Sequence, residues 1–331
     1  LLVALGVLTA ATLVRSLPGF GGWLWIGTVL LAAAIAVGNV LVPSIVKRDF
    51  PTNVPGMTGA YSATLGGFAA VASGVAVPLS RSGGWELALG IWATLSLLAT
   101  LFWSRRLPQS RTEPEAVTPD GTQTDERSMW TSAVAWQVTI FFGMQATTYY
   151  LFVTWLPSIE AGHGVSAIGA GWHLFFFQIV SVFASLYAGS VMRRTRSQRL
   201  VGVAVSALMI VAALGLVLAP DLLLVWDAIA GLSTGSALVV ALTLIALRAP
   251  TARHASRLSG MAQSIGYLMA ATGPVGAGII YDRAISWTPV LIGVAIVATG
   301  QGILALLAGR DVLTHRPAVG SICQRVAGDR P

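Results

Sequence analysis

Ten mostly apolar stretches follow one another along this chain, at residues 1–17, 22–46, 56–79, 84–103, 130–156, 165–191, 200–219, 222–247, 258–281 and 287–308. Each is close to or above the ~20 residues that a helix needs to cross a ~30 Å hydrocarbon core. They are apolar all round, whereas membrane β-strands alternate over ~10 residues, so a barrel is excluded. Turn formers separate them: Pro18-Gly19, Pro51, Gly83-Gly84, Pro157, Pro220-Asp221 and Pro250. The expected fold class is an all-α membrane protein with ten transmembrane helices.

Composition closes the other routes. Of 331 residues, 55% are hydrophobic and 10% charged, with mean hydropathy +0.76. A water-soluble domain carries ~25% charged residues. Soluble enzyme, disulfide scaffold and disordered chain are therefore excluded. The 36 glycines suit membrane helices, where small residues let backbones approach. The single cysteine, Cys323, allows neither an intrachain disulfide nor a cysteine metal site. Residue 1 is Leu within an apolar run, and no signal peptide is read there.

The net charge of +7 comes from 19 Arg and one Lys against 13 acidic residues. These cations lie in short clusters between apolar runs rather than on one continuous face, so no nucleic-acid partner is expected. Seventeen fall in alternate connections and the tail, from Lys47 and Arg48 through Arg105, Arg106, Arg193, Arg194, Arg248 and Arg253 to Arg310. Three, Arg15, Arg81 and Arg283, fall on the other side. The positive-inside rule makes the first side cytoplasmic, with the C-terminus there.

Lys47-Arg48 followed by Met57-Thr58-Gly59-Ala60-Tyr61-Ser62 is similar to Leu247-Arg248 followed by Leu258-Ser259-Gly260-Met261-Ala262-Gln263. Ten helices in 331 residues is about 33 per helix, so the offset of about 200 residues corresponds to about six helices. Two parallel repeats of six spans are expected, as in transporters built from duplicated halves. The polar stretch 104–129 separates four spans from six, which implies two spans missing from the first half. The expected organisation is an incomplete N-terminal bundle (1–103), a cytoplasmic linker (104–129), a six-helix bundle (130–308) and a cytoplasmic tail (309–331).

Gly38-Asn39-Val40-Leu41-Val42-Pro43-Ser44-Ile45-Val46-Lys47-Arg48-Asp49-Phe50-Pro51, then Met57 to Ser62, resembles the cyanate and 2-nitroimidazole porters of the major facilitator superfamily. Gly84-Trp85, Trp155-Leu156-Pro157 and Leu258 to Tyr267 resemble that family as well. The resemblance implies the major facilitator fold, twelve spans when complete, and a porter of small solutes in a bacterial inner membrane. Two departures stand out. The family's usual Asn-Leu-Arg-Pro in its first span is not in this chain. Where its loop after the sixth span here usually reads Asp-Arg-x-Gly-Arg, this chain has Met192-Arg193-Arg194-Thr195-Arg196.

Polar side chains at membrane depth face a cavity or a partner. Gln145 and Tyr149 are one turn apart, with Tyr150 beside them. Gln178 stands at mid-depth of the next span, and Gln263 and Tyr267 are again one turn apart. With Asn39 and Tyr61 these are the candidate solute-binding residues. Each has the alternative of bridging helices. His173 and Asp227 are candidates for proton coupling. His173 is otherwise a structural histidine, and Asp227, ~8 Å into its span at 1.5 Å per residue, is otherwise a carboxylate meeting water. Trp155 is expected in an interfacial aromatic belt.

The four histidines, 163, 173, 254 and 315, are scattered, so no metal site is expected, nor any cofactor. No phosphate-binding Gly-Lys-Ser/Thr loop is present, which argues against ATP and for proton coupling. Gly231-Leu232-Ser233-Thr234-Gly235 fits a nucleophile-elbow pattern, but that motif needs a strand-to-helix turn and here sits in an apolar helix. An intramembrane serine hydrolase using Ser233 is thus the remote alternative to transport. The expected function is secondary transport of a small polar or anionic solute, cyanate-like or heteroaromatic, by alternating access. The partners are that solute and the lipid bilayer, and the protein is expected to be a monomer and no enzyme. Efflux by the same fold is the nearer alternative.

Overall fold

The computed structural model describes residues 2–106, 129–195, 197–310 and 314. Most of the 104–129 linker and the 309–331 tail, with Cys323 and His315, lies outside them.

Among the described residues, ten helices account for the ten apolar runs: α1 (Leu2–Arg15), α2 (Gly22–Asp49), α3 (Val54–Gly90), α4 (Ala93–Arg106), α5 (Ala133–Ala161), α6 (Ala167–Arg194), α7 (Gln198–Leu218), α8 (Leu223–Arg248), α9 (Ala252–Ala284) and α10 (Thr288–Ala308). Their starts are where short polar side chains can replace missing backbone partners. Ser132 Oγ accepts from Ala135 N, Ser166 Oγ from Gly169 N, and Thr251 Oγ1 from His254 N. Within α3 the helical path breaks at Gly83-Gly84, where Gly84 takes φ 76° and a side chain would strain the backbone. The fourth apolar run therefore begins at that break.

Among the described residues, six stretches are long and apolar enough to cross a membrane on length and composition: α2, 82–105, α6, α7, α8 and α10. Helices α5 and α9 fall short because Gln145, Tyr149, Tyr150, Gln263 and Tyr267 dilute them. Helix α1 is a shorter apolar helix of 14 residues.

Helix α1 packs on α2 and α4, α5 lies along α9, α7 along α10 and α8, and α6 along α8. Helix α3 lies chiefly along α6, and α2 also touches α9. Apolar side chains such as Leu98, Phe183 and Ile296 point outward, each more than half exposed, as a bilayer solvent allows.

Glycines set how closely α3 and α6 meet. A Cβ on Gly189 of α6 would stand 2.7 Å from Pro55 O and 3.1 Å from the Gly59 Cα of α3. At that separation the backbones nearly touch. The helix ends near Lys47 are tied by cations. Lys47 Nζ donates to Ala246 O at 2.7 Å and to Ala249 O. Arg248, buried at 2% exposure, donates to Ala308 O, Gly309 O and Gln198 Oε1. Carbonyls at a helix C-terminus lack intrahelical donors and carry the negative end of the helix dipole, so cations belong there.

Candidate functional site

At mid-height between α2–α3 on one side and α5, α6, α8 and α9 on the other lies a cavity of about 440 Å³. The size suits a small ligand. Asn39, Tyr61, Gln145, Tyr149, Tyr150, Gln178, Gln263 and Tyr267 all line it. The structure thus brings together every residue singled out in the sequence as a candidate for solute contact.

The amides are held by their neighbours. Gln263 Nε2 donates to Asn39 O and to Ser259 Oγ, both at 2.8 Å, and Tyr61 Oη donates to Asn39 Oδ1 at 3.2 Å. Opposite them, Gln178 Nε2 donates to Tyr149 Oη at 3.3 Å. Gln145 Oε1 and Ser62 Oγ are buried with no partner among the described residues. Both residues line the cavity, so both atoms are available to a ligand.

The rings pack edge to face: Tyr149 on Tyr150 at 5.3 Å, Tyr150 on Tyr267 at 6.3 Å, and Tyr267 on Phe142 at 5.4 Å. Such packing is favourable for quadrupolar rings and leaves flat π-faces. No Asp, Glu, Lys, Arg or His is among the described lining residues. The cavity can stack and hydrogen-bond a solute, but it offers no countercharge from these residues.

A second polar group sits toward the opposite end from Lys47. His173 of α6 and Asp227 of α8 meet Glu160, at the end of α5. His173 Nδ1 is 2.7 Å from Glu160 Oε1 and 3.5 Å from Asp227 Oδ2. Asp227 and Glu160 are both 0% exposed, so Asp227 does not meet water despite its shallow position. The sequence reading left Glu160 out because it lies beyond Pro157, past the apolar run. The histidines looked scattered because carboxylates from other helices were not counted with them. Phe177, fully buried, stands beside the cavity and stacks on Tyr149 and Phe152.

Trp155, half-buried, donates Nε1–H to Pro274 O at 2.9 Å and packs 5.3 Å from Trp287. Ser233 lies inside α8, 1% exposed, and donates to Val205 O of α7 at 2.7 Å. Gly231 and Gly235 face the α6 backbone at Phe177 and Ser181. The apparent nucleophile motif is a helix-packing seam.

Residues 1–274 match the family model described as Major Facilitator Superfamily. The chain belongs to the Major Facilitator Superfamily. It is 39% identical over 316 residues to a 2-nitroimidazole transporter of Escherichia coli (strain K12), an alignment covering 94% of this chain and 78% of that protein. It is 38% identical over 319 residues to the uncharacterized transporter YycB of Bacillus subtilis (strain 168), covering 94% and 75%. It is 26% identical over 286 residues to the cyanate transport protein CynX of Escherichia coli (strain K12), covering 86% and 72%.

The fold is similar to that of the proton:xylose symporter XylE bound to 6-bromo-6-deoxy-D-glucose, with TM-score 0.75, 13% identity, and coverage of 92% of this chain and 78% of that one. This superfamily member is a multi-pass membrane protein that moves a small solute by secondary transport, and it is not an enzyme.

Proposed function

We propose that the solute is a small, planar, uncharged heteroaromatic compound, carried by alternating access between a bundle of α1–α4 and a bundle of α5–α10. The observation that carries this reading is the cavity lining: four tyrosines, four amides and no charged side chain among the described residues. An anion such as cyanate would meet no cation among the described lining residues, and burying an uncompensated charge is expensive. A flat heterocycle can stack on Tyr149, Tyr150 or Tyr267 and hydrogen-bond with Gln145 and Gln178. The relative named a 2-nitroimidazole transporter carries a name of that solute class.

The basic end around Lys47 faces the cytoplasm of a bacterial inner membrane, and the protein works as a monomer. The cavity is then closed toward the cytoplasm by Lys47 and by the Gly59–Gly189 contact. Coupling is to protons, supported by buried Glu160 and Asp227 beside His173, three ionisable groups that can hold and pass a proton. The test is uptake of radiolabelled 2-nitroimidazole and of cyanate by proteoliposomes carrying the purified chain. Saturable uptake of the heterocycle, not competed by cyanate, supports the reading. Cyanate uptake with no response to the heterocycle overturns it.

A further inference from the structure

We propose that Glu160, His173 and Asp227 form a binding site for a divalent transition-metal cation such as Zn²⁺, separate from the solute cavity. Three helices each contribute one residue: α5 near its end, α6 and α8 near their starts. One donor atom from each lies within 4.8 Å of the others. Two carboxylate oxygens and one imidazole nitrogen are a donor set that Zn²⁺ takes readily.

What points to a ligand is the state of the buried oxygens. Neither oxygen of Asp227 has a hydrogen-bond partner among the described residues, nor has Glu160 Oε2, although both side chains are fully buried. Buried acceptors without donors are rare and costly. No described ion pair joins either carboxylate to a Lys or Arg. The short contact of His173 Nδ1 to Glu160 Oε1 takes one proton, and the Glu160 and Asp227 carboxyls lie close enough to share another; with both ionised, three oxygens have no donor among the described residues. A divalent cation bonded to one oxygen of each carboxylate and to Nδ1 balances both negative charges at once.

The spacing fits with small adjustment. A tetrahedral cation with bonds of about 2.0–2.1 Å holds its ligand atoms about 3.4 Å apart. The Nδ1 to Asp227 Oδ2 separation is already 3.5 Å. The Nδ1 to Glu160 Oε1 separation of 2.7 Å must open by about 0.7 Å, within reach of side-chain torsions. The His173 side chain keeps 20% of its surface exposed, which supplies an entry path and a position for a water ligand. Binding is independent of the solute assigned to the cavity.

The experiment is titration of the metal-stripped full chain in detergent with ZnCl₂, followed by calorimetry and thermal melting. Saturable binding of one Zn²⁺ per chain, with a raised melting temperature, is expected. His173→Gln, Glu160→Gln and Asp227→Asn each weaken it more than tenfold, whereas His163→Gln does not. Size-exclusion profiles identify any variant that fails to fold, and the remaining variants carry the test. No saturable binding by the wild-type chain, or binding by all three variants as tight as the wild type's, overturns the site. Should these variants alter the pH dependence of uptake while no metal binds, the cluster serves protons alone and the metal site is overturned, with the transport reading left standing. Retained metal binding with no heteroaromatic uptake fails that reading and leaves the site.

Discussion

Lys47 at the end of α2 places its ammonium on the carbonyl of Ala246, 2.7 Å away, at the end of α8. The two residues are 199 positions apart and belong to different helices, α2 and α8. A second acceptor, Ala249 O, shares the same nitrogen. A charge-assisted hydrogen bond to a helix C-terminus contributes on the order of 1.5–3 kcal/mol, enough to shift a two-state equilibrium about tenfold or more.

Replacing Lys47 by Met should therefore release the basic end. With Cys323→Ser as background, spin labels on Phe50→Cys and Thr251→Cys report the separation of the α2 and α9 ends. Lys47→Met is expected to add a long-distance population that the parent lacks. An unchanged distance distribution contradicts the latch.

Closeness at Gly189 is a second requirement of the same closed end. A methyl at this position would stand 2.7 Å from Pro55 O. Gly189→Val should reduce uptake at least tenfold while the chain still inserts and elutes as a single peak in detergent. The check is uptake normalised to purified protein.

Inside the cavity, the Gln178–Tyr149 hydrogen bond keeps an amide fixed against a ring. Tyr149→Phe removes its acceptor, and one neutral hydrogen bond contributes about 1 kcal/mol. A KM for the heterocycle raised about fivefold, with little change in maximal rate, is expected from transport kinetics.

Ser233 offers the opposite test. Its hydroxyl joins α8 to α7 through Val205 O, away from the cavity lining. Ser233→Ala should leave uptake within twofold of the parent and lower stability by about 1 kcal/mol. Fluorophosphonate should label neither protein.

The sequence disclosed the cavity better than it disclosed the contacts that close it. Gln145, Tyr149, Gln178, Gln263 and Tyr267 stand out because amides and phenols are scarce in apolar runs, and one-turn spacing puts pairs on one face. Gly83-Gly84 announced a break because only glycine takes the backbone found there without strain. Glu160 was missed because it lies past Pro157, where a carboxylate looks like part of a loop. A useful signal was available: Glu160, His173 and Asp227 all fall near the same end of their spans. The partners of Lys47 and Arg248 had no sequence signal, since they are mainly backbone carbonyls. Gly59 and Gly189 are each legible as small residues, but their pairing is a property of helix crossing.

Protons are expected to drive accumulation of the heterocycle. With acid on the side opposite Lys47, the heterocycle should accumulate inside vesicles, and collapsing the gradient with a protonophore should abolish accumulation. Asp227→Asn should lose the response to the gradient. Equal accumulation with and without a gradient removes proton coupling.

Leu65 of α3 lines the cavity and is about half exposed. Labelling of Leu65→Cys, in the Cys323→Ser background, by a membrane-impermeant maleimide tests most directly whether the two bundles enclose a water-filled solute site. Added from the side opposite Lys47, the reagent should react, and 2-nitroimidazole should slow it several-fold. No reaction from either side of the membrane, or a rate indifferent to the heterocycle, would contradict the account.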